Sequence, residues 1–478
     1  MAAAFPFRLF LRWLSIGIVI MLAGAFAALA WQLPPMLAIG SGYAAKTVCS
    51  GMYVSGLDLD RVWNEDVLGR ENALLGFFRV SVDDPAKRIT ASPFGLGLFE
   101  RTAVHREGLG CALAIGISPG DLASEAIAPM KVTHPSDTPW PAGSAVPPAP
   151  SAPLAGALER AFAEPEGTNA GKLRTRAVVV VQNGELVAER YADGIQPTTP
   201  LTGWSMAKTV TGALAGIAMN ESDLALDEDQ LLTQWSNDAS PKSRIPFSSL
   251  LGMTDGLSYN ESYGAVTDTT RMLYEVGNAV DFLADMELAH EPGTRWAYSS
   301  GATVLSMGAI RHALPADQWA TFPQAALFQP IGMTSAVFET DPAGTFMGSS
   351  WLYATARDWA RFGQLILQKG LWEGKQVLPV GWVDTMVEPV QGSGGAFGQG
   401  QIWLQSGLPG ASESAVPPDT LWMRGHDGQT VAIVPSLDLV VVRLGMTNPQ
   451  GLYDRGALLT DVIDALQDAQ DASPTSAN

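Results

Sequence analysis

Cysteine is nearly absent: the 478 residues hold two, Cys49 and Cys111, and only five histidines. With no histidine pair at ligand spacing, this excludes a zinc site, and neither a metal nor another cofactor is expected. Basic residues are scarce too. Lysine and arginine total 29 against 48 aspartates and glutamates, a formal net charge of −19 with no long basic run. That balance excludes nucleic acid and anionic lipid headgroups as the main partner. Charged residues make up 16% of the chain and apolar ones 47%, which rules out a disordered or fibrous protein and leaves a globular one. No repeat of solenoid period is present. The length suits about three average domains, or one large catalytic unit with a smaller piece.

Charge is missing altogether from residues 13–31, "WLSIGIVIMLAGAFAALAW", which follow Arg8 and Arg12. The run just reaches the ~20 residues that cross a hydrocarbon core. Positive residues before it predict an inside N-terminus and an exported, periplasmic remainder. Three readings stay open: an uncleaved membrane anchor, which the length favours; a cleaved signal with Ala28-Leu29-Ala30 as its small-residue site; or a buried core helix. Export would let Cys49 and Cys111 pair, since disulfides persist outside the cytoplasm. Closing a loop of about 60 residues removes roughly 4 kcal/mol of unfolded-chain freedom. The alternative is two buried free thiols.

The sequence divides into the segment 1–40, a small module at 41–118 holding both cysteines, residues 119–153, a larger domain at 154–470 and a flexible tail at 471–478. Residues 119–153 include "PSDTPWPAGSAVPPAPSAP", where proline fixes φ and removes donors. They read as a linker or as an extended arm lying on the domain surface. In the larger domain, "RAVVVVQNGELVAERY" is two β-rich runs around Asn183-Gly184, a strong hairpin pattern. A second hairpin, "TVAIVPSLDLVVVRLG", turns at Pro435 to Asp438, and "GALLTDVIDALQDA" closes the chain as an amphipathic helix. Between them lie helical segments, one starting at Thr355 with Asp358 at capping-box spacing and stopping at Gly370. The expected fold class is α/β (α+β): an antiparallel sheet completed by both ends of the domain, with a helical region packed beside it.

The chemistry is carried by "TGWSMAKTVTGALAGIAM", residues 202–219. Apolar and small residues lie on every side of the helix expected over 206–219, so it should be buried. Lys208 is its only charge, and Ser205, three residues earlier, shares its face. Burial disfavours a charged amine, leaving a base beside a hydroxyl that needs one to become a nucleophile. Ser-x-x-Lys alone is a loose pattern, yet of the eight lysines only Lys208 has a serine three residues before it. Further on, "WAYSSGATVLSMGAI" places Tyr298 ahead of an apolar helix, and "RGHDGQTVAIV" places His426-Asp427-Gly428 where a strand begins.

In order and spacing these three stretches resemble the motifs of serine β-lactamases and penicillin-binding proteins, in the class C-like branch with esterases and 6-aminohexanoate-dimer hydrolases. "LLGMTDGLSYNESYG" also resembles a segment of that branch, and the likeness covers roughly residues 160–465. It implies a β-lactamase-like fold with Ser205 as the acylated nucleophile, Lys208 as its base and Tyr298 as the acid for the leaving group. The amides of Ser205 and Gln429, which follows Gly428, would form the oxyanion hole. Two departures bear on substrate. Tyr298-Ser299-Ser300 lacks the asparagine of the usual Tyr-x-Asn, and His426-Asp427-Gly428 replaces Lys-Thr-Gly, exchanging a permanent ammonium for a mostly neutral imidazole. A penicillin carboxylate would be held poorly, so an ester or small amide is the expected substrate. The alternatives are β-lactamase or D-Ala-D-Ala peptidase activity, and a membrane-anchored binding protein without chemistry. An α/β-hydrolase elbow is disfavoured because "GWSMA" lacks its final glycine. Oligomeric state is not legible.

Overall fold

A computed structural model describes residues 7–471 apart from 71–72, 131–133, 237–240, 265, 408–414 and 450. All but Asp471 of the tail expected at 471–478 lies outside the described residues. The chain begins with a 47-residue helix, α1 (Phe7–Tyr53), which continues through Pro34 and Pro35. Its first part exposes Trp13, Leu14, Ile16 and Met21, whereas Tyr43, Ala44, Ala45, Val48 and Cys49 are buried. The boundary read at residue 40 therefore falls inside one helix. Among the described residues no helix is long and apolar enough to cross a membrane, so the span expected at 13–31 is not found. Within residues 13–31, for which a core helix is the third reading, Trp13, Leu14, Ile16 and Met21 are exposed, and the buried half of α1 lies beyond them. Small residues there allow close packing: a Cβ on Gly40 would come within 2.4 Å of the Phe78 ring.

Against α1 lies a four-stranded antiparallel sheet of β1 (Phe78–Asp83), β2 (Arg88–Pro93), β3 (Arg101–Arg106) and β4 (Gly110–Leu113), in that order. Cys49 of α1 is bonded to Cys111 of β4, with Cα atoms 6.1 Å apart, as the export argument expected. The two segments share one hydrophobic core with the larger domain. A buried ion pair ties them further: Lys46 meets Glu339, which also accepts from Ser50 Oγ at 2.9 Å and from the Cys111 amide at 2.6 Å. The proline-rich stretch is held along the surface of the larger domain. Arg361 donates to the carbonyls of Pro141 and Gly143, Arg357 to that of Ser144, and His134 bonds the Gly332 carbonyl.

The larger domain starts with α2 (Ala152–Phe162) and the hairpin β5 (Thr175–Gln182) and β6 (Glu185–Tyr191). Asn183 and Gly184 have φ of 51° and 75°, the two positive values that a two-residue hairpin turn requires. The chain returns at its end as β7 (Leu421–Arg424), β8 (Thr430–Val434) and β9 (Leu439–Gly445), which complete a five-stranded antiparallel sheet in the order β7-β8-β9-β5-β6. Both faces of that sheet are covered. Val178 and Val180 of β5 pack with Leu154 and Leu158 of α2 and with Leu459 and Val462 of the closing helix Arg455–Asp471, while Val179 and Val181 join the larger core. A strand buried on two faces reads as a continuous apolar run, which explains Val178 to Val181.

Three core helices occupy the middle of the chain. They are α3 (Ala207–Glu221), α4 (Ser300–Ala313) and α5 (Ala356–Leu367), the last lying across β5, β8 and β9. Thr355 caps α5 by accepting from the Asp358 amide at 3.2 Å. The reciprocal half of the box is made elsewhere: Ser335 Oγ accepts from the Thr355 amide and itself donates to Asp358. Gly370, with φ of 83°, ends the helix where the sequence places its stop.

Candidate active site

The turn that carries Ser205 is built from backbone outward. Leu201 and Thr202 pair with Ala354 and Tyr353, and the Gly203 amide donates to Leu352. Trp204 then takes a φ of +47°, uncommon for a residue with a side chain, and Trp204–Met206 form one 3-10 turn before α3 begins. Side chains are excluded on both sides of that turn. A Cβ on Gly203 would stand 2.2 Å from the Trp359 ring, and one on Gly425 would stand 2.2 Å from the Gly203 carbonyl oxygen. Ser205 is left partly exposed at the start of a helix whose residues Ala207 to Ala218 are all buried.

Lys208 is 1% exposed and points back at that serine. Its Nζ donates to Ser205 Oγ at 3.1 Å, to Ser300 Oγ at 2.9 Å and to the Ser349 carbonyl at 3.1 Å. It also lies 4.8 Å from the ring centroid of Tyr298, so the structure brings Ser205, Lys208 and Tyr298 together. Tyr298 is fixed by aromatic neighbours, stacked on Trp403 at 5.3 Å and edge-on to Phe397 at 5.9 Å.

Glu261 is the group that reading the helix missed. Its carboxylate accepts from the Ser300 amide at 2.6 Å and from Ser300 Oγ at 2.7 Å, so Ser300 joins Lys208 to an anion. Burial raises the carboxyl's pKa above its ordinary value, opposed by the positive charge of Lys208. The lysine is therefore not without a compensating charge, as α3 alone suggests. The sequence holds two pointers to this relay: Glu261 lies in the segment "NESYG", and Ser300 occupies the asparagine position of the usual Tyr-x-Asn.

His426, Asp427 and Gly428 form a tight turn between β7 and β8, with Asp427 at φ 60° and Gly428 at φ 81°. The His426 ring stands 5.7 Å from that of Trp204 and is stacked on Tyr263 at 5.3 Å. His426 Nε2 is 3.4 Å from Asp427 Oδ1. Behind the turn sits Arg443 of β9, fully buried, donating to the carbonyls of Asp427 and Gly428 at 3.2 and 3.1 Å. Burial lowers its pKa to about 10. The cation associated with this turn is thus an arginine clamping the backbone from inside, and the side chain facing Trp204 is an imidazole. The Gln429 side chain is turned into the sheet, where Oε1 accepts from the Gly445 amide at 3.0 Å, and its own amide makes a long 3.4 Å bond to the His426 carbonyl. A bond of that length leaves the amide free to meet a better acceptor. Among the described residues no group of three or more histidines, cysteines or acids is placed to hold a metal.

The family model described as Beta-lactamase matches residues 158–464. The 6-aminohexanoate-dimer hydrolase of Paenarthrobacter ureafaciens is 23% identical over 300 residues, covering 56% of this chain and 72% of that protein. Among solved structures, a Bacillus anthracis protein assigned as a 6-aminohexanoate-dimer hydrolase superposes with a TM-score of 0.54 at 24% identity, over 62% of this chain and 80% of its own. A Bacteroides dorei protein assigned as a β-lactamase superposes with a TM-score of 0.50 at 18% identity, over 66% and 96%. From residue 158 to residue 464 the chain belongs to the β-lactamase family, as a β-lactamase-like hydrolase related to 6-aminohexanoate-dimer hydrolase.

Proposed function

We propose that this protein is an exported serine hydrolase that forms an acyl-enzyme through Ser205 and acts on esters or small amides. The observation that carries the reading is the buried Lys208 Nζ, 3.1 Å from Ser205 Oγ. A neutral lysine amine has two N–H donors and one lone pair. With its donors on Ser300 Oγ and the Ser349 carbonyl, the lone pair faces Ser205 and can take the hydroxyl proton as the oxygen attacks a carbonyl carbon. The oxyanion that forms is met by the amides of Ser205 and Gln429. The proton returns to the leaving group through Tyr298, whose ring lies beside the lysine, and the same tyrosine activates the water that releases the acyl group.

Two observations favour esters and amides over β-lactams. The side chain facing Trp204 is His426 beside the Asp427 carboxylate, a poor receptor for the carboxylate of a penicillin. The related Paenarthrobacter protein is, by its name, a hydrolase of the 6-aminohexanoate dimer. We further propose that α1 places the enzyme at a membrane outside the cytoplasm. Its exposed apolar start, the Cys49–Cys111 bond, and the solvent-facing Phe77, Phe94, Leu96 and Leu98 support that placement.

The test is a substrate comparison on the purified full chain. We expect kcat/KM for a short-chain ester to exceed that for penicillins and cephalosporins, with His426→Lys narrowing the gap by improving the lactam. A cephalosporin hydrolysed faster than every ester and small amide tried would make the protein a β-lactamase in function as well as in family.

A further inference from the structure

Strand β9 is buried along its whole length, and Arg443 is its one charged residue. In register Arg443 stands between Thr430 of β8 and Val178 of β5, neither of which calls for a charge. Among the described residues, the oxygens that its guanidinium donates to are all uncharged. They are the carbonyls of Asp427, Gly428 and Leu173 and the hydroxyls of Thr175 and Thr447. At a pKa of about 10 the group is still charged at neutral pH. A buried cation hydrogen-bonded to neutral dipoles is costly to a fold, and such groups cluster at functional sites.

The turn that Arg443 grips is the one that presents the Gln429 amide. Gly425 joins Gln429 to the backbone leading into Ser205. Its amide donates to the Gln429 carbonyl at 2.8 Å, and a Cβ built on it would stand 2.8 Å from Gln429 Cβ and 2.2 Å from the Gly203 carbonyl oxygen. A planar trans peptide sends its C=O and N–H in opposite directions. The Gly428 carbonyl is drawn inward by Arg443 Nη1 at 3.1 Å and by Thr430 Oγ1 at 3.3 Å, so the N–H of the same peptide, that of Gln429, faces away from Arg443. Asp427, at φ 60°, holds a backbone conformation that persists where its surroundings over-determine it. Arg443 does so together with the Thr447 amide, which donates to the Asp427 carbonyl at 3.0 Å. We propose that Arg443 is the positioning residue of the oxyanion hole: it turns the Gln429 amide toward the oxyanion and, through the Gly428 carbonyl, polarises that peptide so that its N–H is a stronger donor. The inference rests on the serine-hydrolase reading, in which this amide meets the oxyanion, and adds to it the buried cation behind the amide.

Full-chain Arg443→Gln and Arg443→Lys are compared with the parent on a short-chain p-nitrophenyl ester and on an alkylboronic acid, which adds to a serine as a tetrahedral anion and so uses the same amide. Gln keeps a donor without the charge, and Lys keeps the charge without the fork that spans two carbonyls. Loss of one oxyanion donor lowers kcat by ~10² to 10³. We expect kcat to fall about 100-fold in Arg443→Gln and about tenfold in Arg443→Lys, with KM within about threefold of the parent in both. The inhibition constant of the boronic acid should rise in step with the fall in kcat/KM. A residue that only stabilised the sheet would lower the urea midpoint and leave kcat and the inhibition constant alone. Arg443→Lys carries the test if Arg443→Gln does not unfold cooperatively. While turnover still requires Ser205, a folded variant would overturn the role of Arg443, and leave the hydrolase reading standing, if its kcat stayed within about threefold of the parent, if its loss lay in KM, or if boronic acid inhibition were unchanged. No ester turnover by the parent, or turnover that survives Ser205→Ala, would overturn both.

Discussion

At the scale of single residues, the site depends on how the buried Lys208 nitrogen is shared. Lys208 reaches three oxygens, and only one of them, Ser205 Oγ, was legible from spacing along α3. A serine three residues before the one lysine of an apolar helix is a local pattern, so it survives without a structure. The Ser300–Glu261 partnership joins residues 39 apart in sequence and could not be found that way. Its role gives a prediction. With the carboxylate accepting the Ser300 proton, the lone pairs of Ser300 Oγ face Lys208. Glu261→Gln introduces a donor that can reverse this bond. A hydrogen bond to a charged group contributes about 1.5 kcal/mol, so kcat for an ester should fall roughly tenfold, with KM little changed. Steady-state kinetics on the folded variant check this, and unchanged kcat would show that Glu261 has no part in orienting Ser300.

At the scale of elements, the hairpins and helix ends were legible because turn chemistry is local. Asn183-Gly184, the Pro435 to Asp438 turn, Thr355 and Gly370 all stand where the sequence places them. The extent of α1 was not legible, since Pro34 and Pro35 are residues that ordinarily interrupt a helix. Nor was the way it is fastened, because Lys46 and Glu339 are 293 residues apart. That buried pair leads to a second prediction. Glu339→Gln leaves the Lys46 ammonium without its counter-charge and should destabilise the protein by about 3–5 kcal/mol. The double variant Lys46→Met/Glu339→Gln removes the buried charge altogether and should recover at least half of that loss. Urea unfolding followed by tryptophan fluorescence measures both, and a single variant costing under about 1 kcal/mol would show that the pair does not fasten α1.

At the scale of the whole molecule, the class of fold was legible because the chain places strands at both ends of one domain and helices between them. A net charge of −19 concealed how unevenly the acids are placed. Asp255 and Asp341 are buried, and burial raises each carboxyl from 3.8 to about 6. A carboxyl with a raised folded pKa binds its proton more tightly in the folded state. Its contribution is complete below the unfolded value and is lost as pH rises through about 6. Asp255→Asn keeps an acceptor for the Leu257 amide and cannot ionise. Its stability relative to the parent should rise by up to about 3 kcal/mol between pH 4 and pH 7. Parallel unfolding curves at the two pH values test the sign, and a difference that shrinks toward pH 7 would contradict it.

The central claim is that Ser205 is a nucleophile whose proton passes to Lys208. Intact-protein mass spectrometry after exposure to a fluorophosphonate tests it most directly, with peptide mapping to locate the adduct. One phosphonyl group should appear on Ser205, none on Ser205→Ala, and Lys208→Ala should be labelled at least ~10²-fold more slowly while remaining folded. An adduct on another residue, or labelling of Ser205→Ala at the parent's rate, would contradict the account.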